Sequence, residues 1–294
     1  MRDTANTDGA TFGTLAPGWL DRLVIALTKP LPDTYAGLRL AILLRRAVTM
    51  RLAYPDGALD VERWGLRMRL HPRDNGCEKN LLFTPLMYEP AELRELDAEI
   101  AAAKARQRPF VFVDIGANVG LFSLFVASRA GPTARIVAIE PEPGNLNRLR
   151  FNVRANPGAP IEIVPVALAE EAGDFAVVLD RRDRGGSRTR KIACGGMAPG
   201  EVRVPAQTLL GVIERCGLAA IDALKIDVEG VEDAVLWPFF RDARAQMWPR
   251  LIVIEDSRGS WKHDLMSALF ARGYDTVTCS RQNMMLRRRD DAVS

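Results

Sequence analysis

The segment FVFVDIGANVGLFSL, from Phe110 to Leu124, decides the fold. It opens with a continuous apolar run that is bounded by Gly116, and an apolar helical pattern follows and ends at Gly131. A second apolar run, RIVAIEP, comes directly afterwards, from Arg135 to Pro141. Continuous apolar strands joined by helices are typical of a parallel sheet that is covered on both faces. The segment therefore predicts a βαβ unit within an α/β fold.

The alternation of strands and helices continues along the chain. Apolar runs predict further strands, and helical spacing of apolar residues predicts further helices. In chain order these are a helix from Glu142 to Asn156, a strand from Ile161 to Ala167, a helix from Gln207 to Cys216, a strand from Ala223 to Val228, a helix from Val231 to Phe240, a strand from Arg250 to Glu255 and a helix from Lys262 to Arg272. The segments YDTVTCS and NMMLRRR predict a terminal hairpin at the sheet edge.

A different pattern precedes this region. Apolar periodicity predicts two helices, from Trp19 to Thr28 and from Thr34 to Met50, after a polar tail. Alternation from Leu59 to Leu70 predicts a small hairpin, and the stretch from Glu89 to Arg108 predicts a linking helix. We therefore divide the chain into a tail and helical arm (1–57), a hairpin with a linking helix (58–108) and a Rossmann-like domain (109–294).

Composition excludes several classes of protein. The chain has 294 residues, of which 48% are hydrophobic and 26% charged, as in ordinary globular proteins. A formal net charge of +3 gives no reason to expect a nucleic-acid partner. The four cysteines form no C-x-x-C pair, and no apolar stretch reaches the ~20 residues of a membrane span. We expect a cytoplasmic protein without a transmembrane segment.

The turn DIGANVG carries the first candidate site. Asp114 ends the strand, and Gly116, Asn118 and Gly120 precede the helix, whose free N–H groups face the same turn. The turn lacks the G-x-G-x-x-G of a dinucleotide site and the Lys of a P-loop. A carboxylate at this position suits a ligand with a positive amino group, which favours S-adenosylmethionine. A glycine-rich turn without a ligand is the alternative.

Glu140 supports an adenosine-containing ligand. It ends the second strand, 20 residues after Gly120. In nucleotide-binding α/β folds an acid at this position accepts hydrogen bonds from the ribose hydroxyls.

The motif LKIDVEGVE supplies a third constellation. Asp227, Glu229 and Glu232 surround a turn from strand to helix, where mutual repulsion raises the proton affinity of each carboxylate. Such a group suits a general base or a bound cation such as Mg²⁺. Alternatively, Asp227 caps the helix and the two glutamates complement its dipole.

These motifs together resemble the FkbM-type S-adenosylmethionine-dependent methyltransferases. The resemblance rests on FVDIGANVGLFSL, AIEPEPGNLNRLRFNV, VPVAL, LKIDVEGVEDAVL and LIVIE, in that order, from about Phe110 to Glu255. It implies a Rossmann-like sheet whose last strand is inserted antiparallel, with S-adenosylmethionine as methyl donor. The cofactor-binding residues would be Asp114, Gly116, Asn118, Gly120 and Glu140, and the acidic motif would supply the catalytic residues Asp227, Glu229 and Glu232.

The chemistry that the resemblance implies is O-methylation of a sugar, glycan or polyketide-type hydroxyl. A metal requirement stays open, because the acidic cluster could hold Mg²⁺ or act without it. A non-catalytic scaffold and a nicotinamide-dependent oxidoreductase or epimerase are the alternative functions. The helical arm could mediate homodimer formation or pack on the main domain.

Two further segments give weaker predictions. HPRDNGCEKNLLF crowds His71, Asp74 and Glu78 around an Asn-Gly turn, which favours a surface turn over an acceptor lid with His71 as base. The stretch 181–200, between two short strand patterns, is rich in Arg and Gly and predicts a long loop. The part from Arg184 to Arg190 could hold an anionic acceptor or a lid, and a solvated hairpin tip is the alternative. His263 is predicted to lie on a helix face without a partner.

Overall fold

The computed structural model describes residues 10–51, 57–178, 186, 188–191 and 197–289. In chain order its helices and strands are α1 (Trp19–Thr28), α2 (Tyr35–Arg51), β1 (Leu59–Arg63), β2 (Leu66–Leu70), α3 (Gly76–Phe83), α4 (Pro90–Ala105), β3 (Val111–Ile115), α5 (Leu121–Ala130), β4 (Arg135–Ile139), α6 (Pro143–Arg154), β5 (Ile161–Val164), β6 (Ala167–Leu168), β7 (Gly173–Val178), β8 (Arg188–Lys191), β9 (Glu201–Gln207), α7 (Leu209–Arg215), β10 (Ala223–Ile226), α8 (Glu232–Asp242), β11 (Leu251–Glu255), α9 (Leu265–Ala271), β12 (Tyr274–Cys279) and β13 (Asn283–Arg288).

The main sheet has the strand order β12-β13-β11-β10-β3-β4-β5. Strands β3, β4, β5, β10 and β11 run parallel, whereas β13 pairs antiparallel with both β11 and β12. The Rossmann-like sheet with an inserted antiparallel strand, which the resemblance implies, is therefore confirmed. The predicted terminal hairpin is also confirmed as β12 and β13.

Alternating side chains give the sheet two apolar faces. On β3, Phe112 packs in one cluster with α4 and α5, while Val113 packs in another with α7, α8 and α9. Successive side chains of a strand point to opposite faces, so a continuous apolar run has apolar side chains that need to be buried on both faces of the sheet. Helices therefore cover both faces, as the sequence predicts.

The hairpin and the linking helix share a core with the main sheet. Met68 of β2, Phe83 of α3 and Leu96 of α4 belong to the same buried cluster as Phe112 of β3. The predicted boundaries at residues 57 and 108 thus separate elements that pack together. Within the described ranges, no helix has the length and apolar character to cross a bilayer.

The prediction of a surface turn around Asn75 is wrong. Asn75 caps α3, because its side chain accepts a hydrogen bond from the Glu78 amide at 3.2 Å. The exposed fraction of Asn75 is 1%, and that of Glu78 is 0%. An Asn side chain that satisfies free N–H groups starts a helix as readily as it makes a turn. The α3 segment is therefore buried.

A second sheet, in the order β6-β9-β7-β8, follows β5. Strand β7 pairs antiparallel with both β8 and β9. The prediction of a loop over 181–200 is therefore wrong at residues 188–191, which pair with β7 as a strand. Their sequence has no apolar pattern that would have indicated a strand. Most of its remainder, including Arg184, lies outside the described residues.

Candidate functional site

A cavity of about 670 Å³ opens at the carboxyl ends of β3, β4 and β10. Its volume lies within the range of ~300–1,000 Å³ that is typical of small-molecule sites. Ligands of open α/β folds bind at this edge, because the turns that leave parallel strands meet there. The cavity lining includes Gly116, Asn118, Glu140, Asp227 and Glu229. The structure thus brings together five of the eight predicted site residues.

The turn after β3 brings backbone close to the cavity. Gly116 has φ +70°, and a Cβ at this position would overlap the carbonyl oxygen of Asp227. Only glycine tolerates both conditions. Asn118 has φ +52°, and its side chain accepts a hydrogen bond from the Asn75 side chain at 2.8 Å. The cap of α3 therefore fixes the turn from outside.

Glu140 joins the two strand ends that frame this part of the cavity. Its carboxylate accepts hydrogen bonds from the Asn118 amide and from the Glu142 amide, each at 2.8 Å. Burial raises the pKa of Glu140 to about 8, against the opposite influence of these two amides. The carboxyl group is thus held rigidly at the cavity wall and titrates near neutral pH.

Two predicted donor-binding residues do not line the cavity. Asp114 is fully buried, and one carboxylate oxygen accepts hydrogen bonds from the Ser123 amide at 3.1 Å and the Ser123 hydroxyl at 2.6 Å. Gly120 packs at the start of α5, where a Cβ would meet Leu149 at 2.5 Å. Asp114 therefore ties β3 to α5, and Gly120 allows α5 to approach α6. Neither Asp114 nor Gly120 lines the cavity, so these positions do not support the prediction that the two residues contact the donor.

Lys225 is a residue of the cavity wall that the sequence analysis missed. Its ammonium donates a hydrogen bond to the Gly116 carbonyl at 3.1 Å and lies 3.3 Å from the Asp227 carboxylate. Burial would lower its pKa, but Asp227 and Asp114 outweigh burial and hold the pKa above its usual value. A lysine within the apolar run ALKI was the available signal, because a buried ammonium needs partners.

Glu229 and Glu232 of the acidic motif occupy different positions relative to the cavity. Glu229 lines the cavity and has φ +59°, a strained conformation for a residue other than glycine. Glu232 has an exposed fraction of 0% and accepts hydrogen bonds from the Val228 and Gly230 amides, each at 3.1 Å. Its other oxygen accepts from the Trp261 ring at 2.9 Å. Glu232 therefore shapes the turn, and it is not among the residues that line the cavity.

The two histidines also differ from their predictions. His71 is buried beside Glu78, with Nδ1 3.5 Å from its carboxylate, and is not among the cavity-lining residues. His263 precedes α9, stacks on Trp237 at 4.9 Å and lies 3.2 Å from the Glu170 carboxylate. Its predicted isolation on a helix face is wrong. A catalytic role for His71 is not supported by its position.

A metal site is not supported either. Among the residues that the structure describes, no three His, Cys, Asp or Glu side chains gather as metal ligands. Asp227 is instead paired with Lys225, and Glu232 is held by amides and an indole. The predicted possibility of Mg²⁺ finds no ligand set here.

The sequence analysis also missed a second group of lining residues. This group contains Tyr88 and Glu89 before α4, Glu92 within α4 and Asn283 at the start of β13. The Asn283 amide donates hydrogen bonds to Glu89 at 2.7 Å and to Glu92 at 3.0 Å. These residues lie almost two hundred positions apart in the chain, and spacing alone cannot bring them together.

Two curated proteins are similar to part of this chain. The chain is 28% identical over 223 residues, 59% of its length, to methyltransferase sdnD of Sordaria araneosa, and the match covers 85% of that protein. It is 31% identical over 201 residues, 55% of its length, to the AMB antimetabolite synthetase AmbE of Pseudomonas aeruginosa. That match covers 9% of the synthetase, so the chain corresponds to a small part of it.

Solved structures with related folds were also found. The crystal structure of monomeric WbdD is 17% identical, with a TM-score of 0.42, over 67% of this chain and 41% of that chain. A precorrin-6y C5,15-methyltransferase from Geobacter metallireducens is 13% identical, with a TM-score of 0.40, over 70% of this chain and 92% of that chain.

The family match covers the site itself. Residues 114–276, more than half of the chain, match the methyltransferase FkbM domain. This range contains the turn after β3, Glu140, Lys225 and the acidic motif. The chain belongs to the FkbM family of methyltransferases.

Proposed function

We propose that this protein transfers the methyl group of S-adenosylmethionine to a hydroxyl oxygen of a sugar, glycan or polyketide-type acceptor. The observation that carries the proposal is the shared cavity, in which Gly116, Asn118 and Glu140 form one wall and Asp227 and Glu229 lie beside them. The residues proposed for the donor and the acids proposed for the acceptor thus line one cavity. The family match supports the methyltransferase class.

The donor would lie along the turn after β3. Gly116 permits close approach of the backbone, and the Glu140 carboxylate is in place to accept hydrogen bonds from ribose hydroxyls. Asn118 lines the same wall and is fixed by Asn75. When bound, S-adenosylmethionine supplies an electrophilic methyl group on a positively charged sulfur.

The acceptor would lie over the end of β10. Asp227 is ion-paired with Lys225, so its carboxylate is held in one orientation and can receive a hydrogen bond from the acceptor hydroxyl. Glu229 follows it on the same turn, and Glu232 positions that turn through the Val228 and Gly230 amides. Alignment of the hydroxyl with the methyl group supplies a large part of the rate enhancement, because orientation before the reaction removes an entropic cost from the barrier.

The test is a calorimetric titration with S-adenosylhomocysteine, with NAD in parallel, followed by transfer of labelled methyl groups from S-adenosylmethionine. We expect micromolar binding of S-adenosylhomocysteine, no binding of NAD and label in an oxygen-linked product. Binding of NAD in its place would favour the oxidoreductase or epimerase. Folded protein that binds neither compound would favour a non-catalytic scaffold.

A further inference from the structure

The part of the cavity lining at the start of α4 contains a pair of acids that share one hydrogen-bond donor. The side chains of Glu89 and Glu92 both accept a hydrogen bond from the same Asn283 amide nitrogen, at 2.7 Å and 3.0 Å. Two carboxylates that share one donor repel each other when both are ionised, which favours the protonated form of Glu89.

Glu92 is the deeper member of the pair. Its exposed fraction is 0% and it lines the cavity, while its Oε2 accepts no hydrogen bond from the groups that the structure describes. A buried carboxylate oxygen without a donor lowers stability. The arrangement is costly for a purely structural role, and it raises the proton affinity of its neighbour.

Glu89 also lines the cavity and is the more exposed member of the pair. It has φ +45° and precedes Pro90, the first residue of α4. A left-handed conformation costs about 1–2 kcal/mol for a residue with a side chain, and such strain is concentrated at functional sites. Burial, followed by the proximity of Glu92, raises the pKa of Glu89 to about 8.

The charges around Glu89 come from several elements. Glu92 of its own helix and Asp227 of the turn after β10 raise its pKa, whereas Lys225 of β10 lowers it. Tyr88 precedes it, Asn283 contributes no charge, and the remaining lining acids include Glu229 and Glu255.

Among the lining residues that the structure describes, the cations do not offset these acids. Lys225 is already paired with Asp227, and Arg281 is 85% exposed and lies 3.9 Å from Asp33. The described part of the lining is therefore acidic, and it would repel a phosphate or carboxylate beside the reacting hydroxyl.

We propose that Glu89 is the proton acceptor for the methylated hydroxyl, that Glu92 and Asn283 position and tune it, and that the acceptor is a polyhydroxylated molecule without a phosphate or carboxylate group. This inference rests on the proposed function. The acceptor oxygen forms a bond to the methyl carbon while the carbon–sulfur bond breaks and its electron pair stays on sulfur. The hydroxyl proton passes to the Glu89 carboxylate and then to water. Asp227, already paired with Lys225, orients the hydroxyl.

The experiment uses the full chain and four proteins: wild type, Glu89→Gln, Glu92→Gln and the control Glu95→Gln. Glu95 lies one turn beyond Glu92 on α4, pairs with Arg287 at 2.9 Å and is not among the cavity-lining residues. Each protein is titrated with S-adenosylhomocysteine and then, with that compound bound, with neutral methyl glycosides of the common hexoses and 6-deoxyhexoses. Methyl transfer is measured across pH with the same glycosides, hexose phosphates and hexosamines.

We expect all four proteins to bind S-adenosylhomocysteine within about threefold of each other. Glu89→Gln should lower kcat on neutral glycosides by about 100-fold or more, the usual contribution of a general base, and leave their binding nearly unchanged. Glu92→Gln should move the acidic limb of the pH profile to lower pH, because Glu89 loses an acidic neighbour. Glu95→Gln should match wild type.

Four results would overturn the inference while leaving the proposed function intact. These are an unchanged kcat in Glu89→Gln, an unmoved pH profile in Glu92→Gln, preference for phosphate acceptors, and no binding or methylation of any neutral glycoside or hexosamine by protein that binds S-adenosylhomocysteine. Failure of wild type to bind that compound would instead contradict the proposed function, and this inference with it.

Discussion

Replacement of Glu140 by glutamine tests the donor site most directly. In the unliganded protein the two carboxylate oxygens accept from the Asn118 and Glu142 amides, each at 2.8 Å. Glutamine has one carbonyl oxygen, so one amide would face an NH₂ group instead of an acceptor. Loss of that hydrogen bond and the buried donor it leaves cost about 1–3 kcal/mol in the free energy of unfolding.

Glu140→Gln should also weaken the binding of S-adenosylhomocysteine. Above about pH 8, where Glu140 is ionised, two ribose hydroxyls would each donate a charge-assisted hydrogen bond to it, and such bonds contribute about 1.5–3 kcal/mol each. Glutamine retains one neutral acceptor, worth about 1 kcal/mol. We therefore expect S-adenosylhomocysteine to bind more weakly by about 3 kcal/mol, which is roughly 150-fold in Kd.

The assay is calorimetric titration with S-adenosylhomocysteine, together with thermal unfolding of the unliganded proteins. Glu162→Gln is the matched control, because Glu162 lies on the neighbouring strand β5 and is not among the cavity-lining residues. We expect the control to bind like wild type. A folded Glu140→Gln protein with an unchanged Kd would refute the assignment of Glu140 to the ribose.

Four other predictions follow from the same structure. Because the pKa of Glu89 and that of Glu140 are both raised to about 8, the folded protein binds protons more tightly than the unfolded chain, and the free energy of unfolding should fall as pH rises from about 5 to 8, as measured by denaturant titration. Gly116→Ala should abolish binding of S-adenosylhomocysteine in calorimetry, because a Cβ would overlap the Asp227 carbonyl. Asn75→Ala should lower the free energy of unfolding by about 1 kcal/mol, through loss of the α3 cap, in the same denaturant assay. Exhaustive treatment with EDTA should leave the rate of methyl transfer unchanged, since the described residues provide no metal ligand set.

Three of these predictions have a result that would contradict them directly. A stability that rises between pH 5 and 8 would mean that the two acids are not protonated in the folded state. Gly217 has φ +64° with open space around its Cβ position, so Gly217→Ala separates backbone strain from steric overlap. Equal donor binding by the two glycine variants would refute the overlap. A rate that EDTA abolishes and Mg²⁺ restores would establish a metal requirement.

The order of elements could be predicted because it depends on local patterns. The run from Phe110 to Ile115 is apolar on both faces of a strand, and the pattern from Trp19 to Thr28 repeats with the period of a helix. The structure confirms both, with the second at the predicted bounds. Boundaries were less predictable where a cap decides them. The helix predicted to begin at Lys262 begins at Leu265 instead, because the Asp264 side chain accepts a hydrogen bond from the Ser267 amide at 3.1 Å and caps α9.

The direction of each acidic side chain could not be predicted. Asp114 and Glu140 both follow apolar runs, yet Asp114 turns toward Ser123 and Glu140 toward the cavity. Likewise Glu229 lines the cavity while Glu232 is buried behind it. The sequence shows that each of these acids lies near the end of a strand. The direction of its side chain depends on a hydrogen-bond partner that another element supplies.

The sequence by itself determined the class of fold, the turn at Gly116 and the acids that surround the strand ends, because hydrophobic burial and backbone conformation act over a few residues. Only the tertiary structure decided which acids share the cavity. Glu89 and Asn283 meet because β13 is inserted beside β11 while α4 packs across the same sheet face. Such contacts depend on how the sheet closes, which is set by the packing of the whole core rather than by any short segment.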